Sequence, residues 1–83
     1  MSYCVAYFND GTEEPRFGVF PNVFPTYDEA VDCVIFQIKD HYGEVIDSIA
    51  PISQVGGQHL FQFEETAYVI GKMFNFKRED QHA

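Results

Sequence analysis

TYDEAVDCVIFQIKDHYG, residues 26–43, is the stretch whose reading decides the fold. Thr26 stands three positions before Glu29, the spacing at which a threonine hydroxyl accepts from the Glu29 amide while the Glu29 carboxylate reaches back to the Thr26 amide, a capping box. Asp28, Glu29 and Asp32 place negative charge in the first turns, where the helix dipole favours it. Tyr27, Ala30, Val31, Val34, Ile35, Ile38 and Tyr42 follow the i, i+3, i+4 series of one helical face. Gly43 supplies a residue that tolerates the left-handed conformation just past a helix end. Val31, Val34, Ile35 and Ile38 are β-branched and mediocre helix formers, so packing has to hold this segment.

The flanks read as sheet. Residues 2–8 alternate, with Tyr3, Val5 and Tyr7 on one side and Cys4, Ala6 and Phe8 on the other, and run into the turn signal Asp10-Gly11. Arg16 to Phe20 resumes an extended pattern with Phe17 and Val19 facing one way, so the first two strands form a hairpin. Pro21 and Pro25 bracket a segment that cannot pair on both sides, because proline lacks the amide donor. Residues 44–52 read as a further strand, with a short helix ended by Pro51 as the alternative. Residues 53–57 read as a loop. Gln58 to Phe63 and Ala67 to Phe74 are β-rich runs joined through Glu64-Glu65-Thr66. The expected fold is α+β: a small antiparallel sheet of three to five strands with one long α-helix packed on one face. Residues 1–76 form a single domain and residues 77–83 a polar tail; a chain of 83 residues has room for one core.

Charge is unevenly spread. Residues 1–71 carry eleven carboxylates against Arg16 and Lys39, a net of −9, whereas residues 72–83 carry three cations against two carboxylates, a net of +1. Such a field repels nucleic acid and attracts basic protein surfaces. The nine Phe and five Tyr exceed what so small a core can enclose, which leaves rings for an interface. The candidate partner-binding residues are therefore acidic: Asp10, Glu13 and Glu14 on the first loop, Asp28 and Asp32 on the helix, Glu64 and Glu65 on the last hairpin. Glu29 is set apart as a cap.

Catalytic and metal chemistry find little support. His41 and Glu44 are three apart and His59 heads a strand, but there is no close His pair and no Cys-x-x-Cys, so no metal or cofactor is expected. Cys33 and His41 lie eight residues apart on one helix, about 12 Å, too far for a nucleophile and its base. Gly56-Gly57 lacks the lysine and following helix of a phosphate cradle and reads as a turn. Cys4 and Cys33 read as buried free thiols of a cytoplasmic protein, since no signal-peptide pattern or membrane span opens the chain.

In GTEE (residues 11–14), TYDEAVD (26–32) and FEE (63–65) on a compact α+β scaffold, the chain resembles the small acidic inhibitors made by phages, anti-CRISPR proteins among them. That resemblance implies a protein-binding inhibitor that acts in the host cytoplasm by occupying a basic surface of a nucleic-acid-handling complex. The alternative expectation is a homodimeric α+β protein that uses an aromatic sheet face for self-association or a small ligand.

Overall fold

The computed structural model describes residues 2–9 and 16–73. Five antiparallel strands and one helix follow one another as β1 (Ser2–Asn9), β2 (Arg16–Val19), α1 (Tyr27–Tyr42), β3 (Ser53–Val55), β4 (Gln58–Phe63) and β5 (Thr66–Met73). The sheet order is β2-β1-β5-β4-β3, with the two longest strands paired at its centre and the two shortest at its edges. Short edges limit unwanted pairing with other chains.

Both helix ends are built by the residues that mark them in the sequence. Thr26 is extended, and its hydroxyl accepts from the Glu29 amide at 3.1 Å. Gly43 is left-handed at φ 73°, and its amide donates to the Lys39 carbonyl at 2.8 Å. Between them Ala30, Val34 and Ile38 are fully buried, while Tyr27, Val31 and Tyr42 are partly buried beside them. The spacing of three and four residues puts this stripe on the sheet, against Val5 of β1, Ile70 and Tyr68 of β5 and Phe61 of β4. Register explains the match: Val5 lies opposite Ile70, and Phe61 opposite Tyr68, so the sheet's buried side chains form adjacent cross-strand pairs.

Two tyrosines pin the helix at its ends. Tyr27 meets Tyr3 edge-on at 6.0 Å and the His59 ring at 4.7 Å. Tyr42 packs on Phe63 at 5.3 Å, and its hydroxyl shares a 2.6 Å hydrogen bond with Thr66. The helix therefore runs in the same sense as β1 and β4. His59 Nδ1 is buried without a hydrogen-bond partner among the described residues, a cost the Tyr27 contact has to offset.

The first edge of the sheet is irregular for a chemical reason. Pro21 ends β2, yet the chain returns to β1 through the Tyr3–Phe24 bridge, with both of its hydrogen bonds at 2.8 Å. The proline thus sits on the edge, where a missing amide costs least. Gly18 lies opposite Tyr7, and a β-carbon there would come within 2.9 Å of the Tyr7 ring. The missing side chain lets that ring lie flat over β2.

Two readings of the sequence are corrected. Residues 44–52, expected as a strand, form neither strand nor helix. Ile46 and Ile49 pack against the core from this coil, so the apolar spacing serves anchoring and not pairing. Residues 53–57, expected as a loop, form a tight hairpin: Gly56 and Gly57 both have positive φ, 59° and 83°, the combination two-residue hairpin turns require. The β4–β5 connection is also shorter than expected, because Thr66 already belongs to β5 and Glu64 takes the left-handed position at φ 53°. The turn signal at Asp10-Gly11 and the tail at 77–83 lie outside the described residues.

Burial at the centre of the helix stripe makes a direct test. A carboxylate at Val34 has no partner and no water, and costs about 4 kcal/mol or more, a large share of what a domain this size possesses. Val34→Asp should abolish the cooperative thermal transition, followed by circular dichroism, while Asp32→Asn on the exposed side leaves it in place.

Candidate functional site

The acidic residues among those described do not pool into one patch. Asp28 and Asp32 are exposed on the first turns of α1, above the end of the sheet that carries Tyr3 and His59. Glu64 and Glu65 are exposed on the β4–β5 turn, at the end where Tyr42 meets Thr66. A 16-residue helix separates these ends, about 24 Å. Asp10, Glu13 and Glu14 lie outside the described residues.

Cys4 and Cys33 are free and on opposite sides of the sheet. Both are partly exposed, not buried as the sequence suggests, because Cys4 faces the uncovered side and Cys33 the margin of the helix stripe. Burial still raises the Cys33 thiol above its ordinary value, which keeps it protonated and a weak nucleophile. His41 and His59 belong to opposite ends of the helix layer. Among the described residues no three His, Cys, Asp or Glu side chains come together as a metal site.

Two features have the build of binding surfaces. The larger is the side of the sheet turned away from α1. Strand register lays it out in three rows: Phe17, Phe8, Ala67 and Gln62; then Val19, Ala6, Val69, Leu60 and Ser53; then Cys4, Gly71, Gln58 and Val55. None of these residues is charged, in a chain of net charge −8. The face has relief. Phe17 and Val19 stand proud on the β2 edge, 79% and 66% exposed, the centre is lined by small residues, and a depression of about 230 Å³ lies by Val55, Leu60 and Val69 at the other edge. Monomeric proteins seldom leave so continuous an apolar surface in water.

The second feature is a cleft of about 310 Å³ on the helix side, between the C-terminal half of α1 and the β1–β2 edge. It exists because β2 extends the sheet beyond the reach of the single helix. Tyr7 and Phe20, 5.3 Å apart, line it with rings. Arg16 enters from β2, opposite Asn9 in register, and His41 and Gln37 enter from the helix.

A buried polar knot closes one end of this cleft. Asn9 Nδ2 donates to Thr66 Oγ1 at 2.7 Å, and Thr66 Oγ1 also bonds the Tyr42 hydroxyl at 2.6 Å. Tyr68 adjoins them: burial first, then the Tyr42 phenol, push its hydroxyl towards staying protonated, against a weaker opposing effect of its hydrogen bond to Thr66. A threonine hydroxyl has one proton and two lone pairs, so a single side chain ties β1, β5 and the helix end together. No family model, curated protein or solved structure matches this chain.

A sheet face for self-association is the alternative expectation from the sequence, but without the residues that form it, and the cleft is not anticipated at all. Charge drew attention to carboxylates, whereas the informative signal on the open face is where charge is missing: every outward position of β1, at 2, 4, 6 and 8, is uncharged. The cleft has no motif, since its residues come from β1, β2, α1 and β5.

The knot can be tested in isolation. Thr66→Val keeps the shape and removes the shared hydroxyl, which should cost about 1–3 kcal/mol and lower Tm by several degrees. Thr66→Ser, which restores the oxygen, should recover most of the loss in a thermal melt.

Proposed function

We propose that this protein is a non-catalytic interaction module that works as a homodimer, with the open sheet face of one copy packed on that of a second. The observation that carries the reading is the uncharged, contoured face on an otherwise acidic chain. Five strands at about 4.8 Å spacing and some 20 Å of strand length give roughly 500 Å² per copy. Two copies then bury about 1,000 Å² or more, the lower bound for a specific interface.

Shape favours a second copy of the same chain. A two-fold axis running along the strands would place the Phe17 and Val19 edge of each copy over the β3–β4 depression of the other, and would do so twice by symmetry. Charge permits it as well. The carboxylates of α1 lie on the far side of each sheet, so in a four-layer α-β-β-α stack the two helices are roughly 30 Å apart, well beyond the ~8 Å screening length at physiological salt.

A dimer of this form turns two acidic helix layers outward. The exposed Asp28 and Asp32 on α1 support a second reading, in which that outer layer docks on a basic protein surface, as expected of an inhibitor or regulator of a nucleic-acid-handling complex. The two readings use opposite faces and are compatible.

Light scattering on the eluted protein should give twice the 9.5 kDa of one chain. Phe17→Lys and Val55→Lys, at positions 79% and 72% exposed, should each yield a folded monomer with an unchanged circular dichroism spectrum. A wild-type protein that stays monomeric up to its solubility limit would sink the self-association reading. For the outer layer, capture of a basic partner should weaken with added salt and with Asp28→Lys/Asp32→Lys; retention indifferent to both removes the electrostatic reading and leaves the dimer untouched.

A further inference from the structure

The geometry points to the helix-side cleft as a binding site for a small organic anion, a flat apolar body that carries one carboxylate or phosphate. This inference is independent of the dimer, because the cleft opens on the helix side of the sheet and the proposed interface covers the other.

The lining is at odds with the rest of the molecule. Over residues 1–71 carboxylates outnumber cations eleven to two, yet among the described residues no carboxylate lines this cleft, and one of the two cations, Arg16, does. His41 lines it from the opposite wall, so a planar guanidinium and an imidazole face a common space across the sheet edge. A guanidinium offers paired N–H donors that match the two oxygens of a carboxylate or of a phosphate. In a negative surround, the Arg16 charge gives this cleft a local attraction for an anion, and Gln37 adds an uncharged amide donor beside it.

The remainder of the lining selects the body of the ligand. Tyr7 and Phe20 give two rings at a 36° tilt, 5.3 Å apart, a wall that suits a flat apolar group. The backbone makes room for them: at Gly18 a β-carbon would come within 2.9 Å of the Tyr7 ring, so its absence lets that ring lie over β2. A volume of about 310 Å³ is at the small end of ligand pockets, equal to roughly ten waters, which fits a single-ring compound. The polar knot of Asn9, Thr66 and Tyr42 fixes the end wall, so the space does not depend on a ligand to form.

The probes are benzoate and phenyl phosphate, titrated into the full chain by calorimetry, with benzyl alcohol and inorganic phosphate as partial mimics. At least one of the two aromatic anions should bind saturably, and more tightly than either mimic; the tighter one identifies the headgroup as carboxylate or phosphate. Arg16→Gln, on an exposed edge position, should weaken that binding roughly tenfold or more, and His41→Gln should weaken it less. Lys39→Gln removes the other cation of residues 1–71, which does not line the cleft, and should leave affinity unchanged. Absence of saturable binding by both anions, equal binding of benzyl alcohol, equal binding of inorganic phosphate, or an equal loss in Lys39→Gln and Arg16→Gln would each overturn the assignment.

Discussion

A five-stranded sheet has two faces, and this chain has one helix among its described residues to cover them. That mismatch governs the rest of the structure. The helix can hold only by laying Ala30, Val34 and Ile38 on Val5, Phe61, Tyr68 and Ile70, because its β-branched residues make it marginal alone. Once it is committed to that side, no helix among the described residues remains to cover the other side of the sheet. The same shortage acts laterally: one helix spans β1, β5 and β4 but stops short of β2, and the cleft is the uncovered strip.

The polar groups are distributed in keeping with this. Carboxylates gather on the helix layer and on turns, where solvent or the helix N-terminus accommodates them. The open face is left without a charge, and the cleft receives Arg16 from one wall and His41 from the other. The three surfaces thus differ in chemistry as well as in place: acidic outside, neutral and apolar beneath, basic and aromatic in the notch between. On the functions proposed above, each partner would then meet a surface of its own.

Much of the fold could be read locally. Thr26, Glu29 and Gly43 act within a turn of themselves, and the strand alternations at 2–8 and 58–63 depend only on neighbours in sequence, so these elements appear where the pattern puts them. Residues 44–52 were misleading because Ile46 and Ile49 have a spacing consistent with several backbones, and only the position of the core decides which one they serve. The Gly56-Gly57 turn was legible as a turn but not as a hairpin, since its first strand is three exposed residues with no apolar alternation of their own. The acidic residues were legible individually; their separation to opposite ends of a helix was not.

The sequence alone determined that there is one capped amphipathic helix, that antiparallel sheet surrounds it, and that negative charge dominates the body. These follow from interactions between residues a few positions apart, whose geometry is set by the backbone period. Which side of each strand meets the helix, and therefore that Phe17, Val19, Leu60 and Val55 share an uncovered face while Arg16 and His41 share a cleft, was decided only in the tertiary structure. Strand order and register bring those residues together across as many as 43 positions, between Phe17 and Leu60. No local pattern encodes that pairing, because it is fixed by which apolar sides the single helix can bury at once.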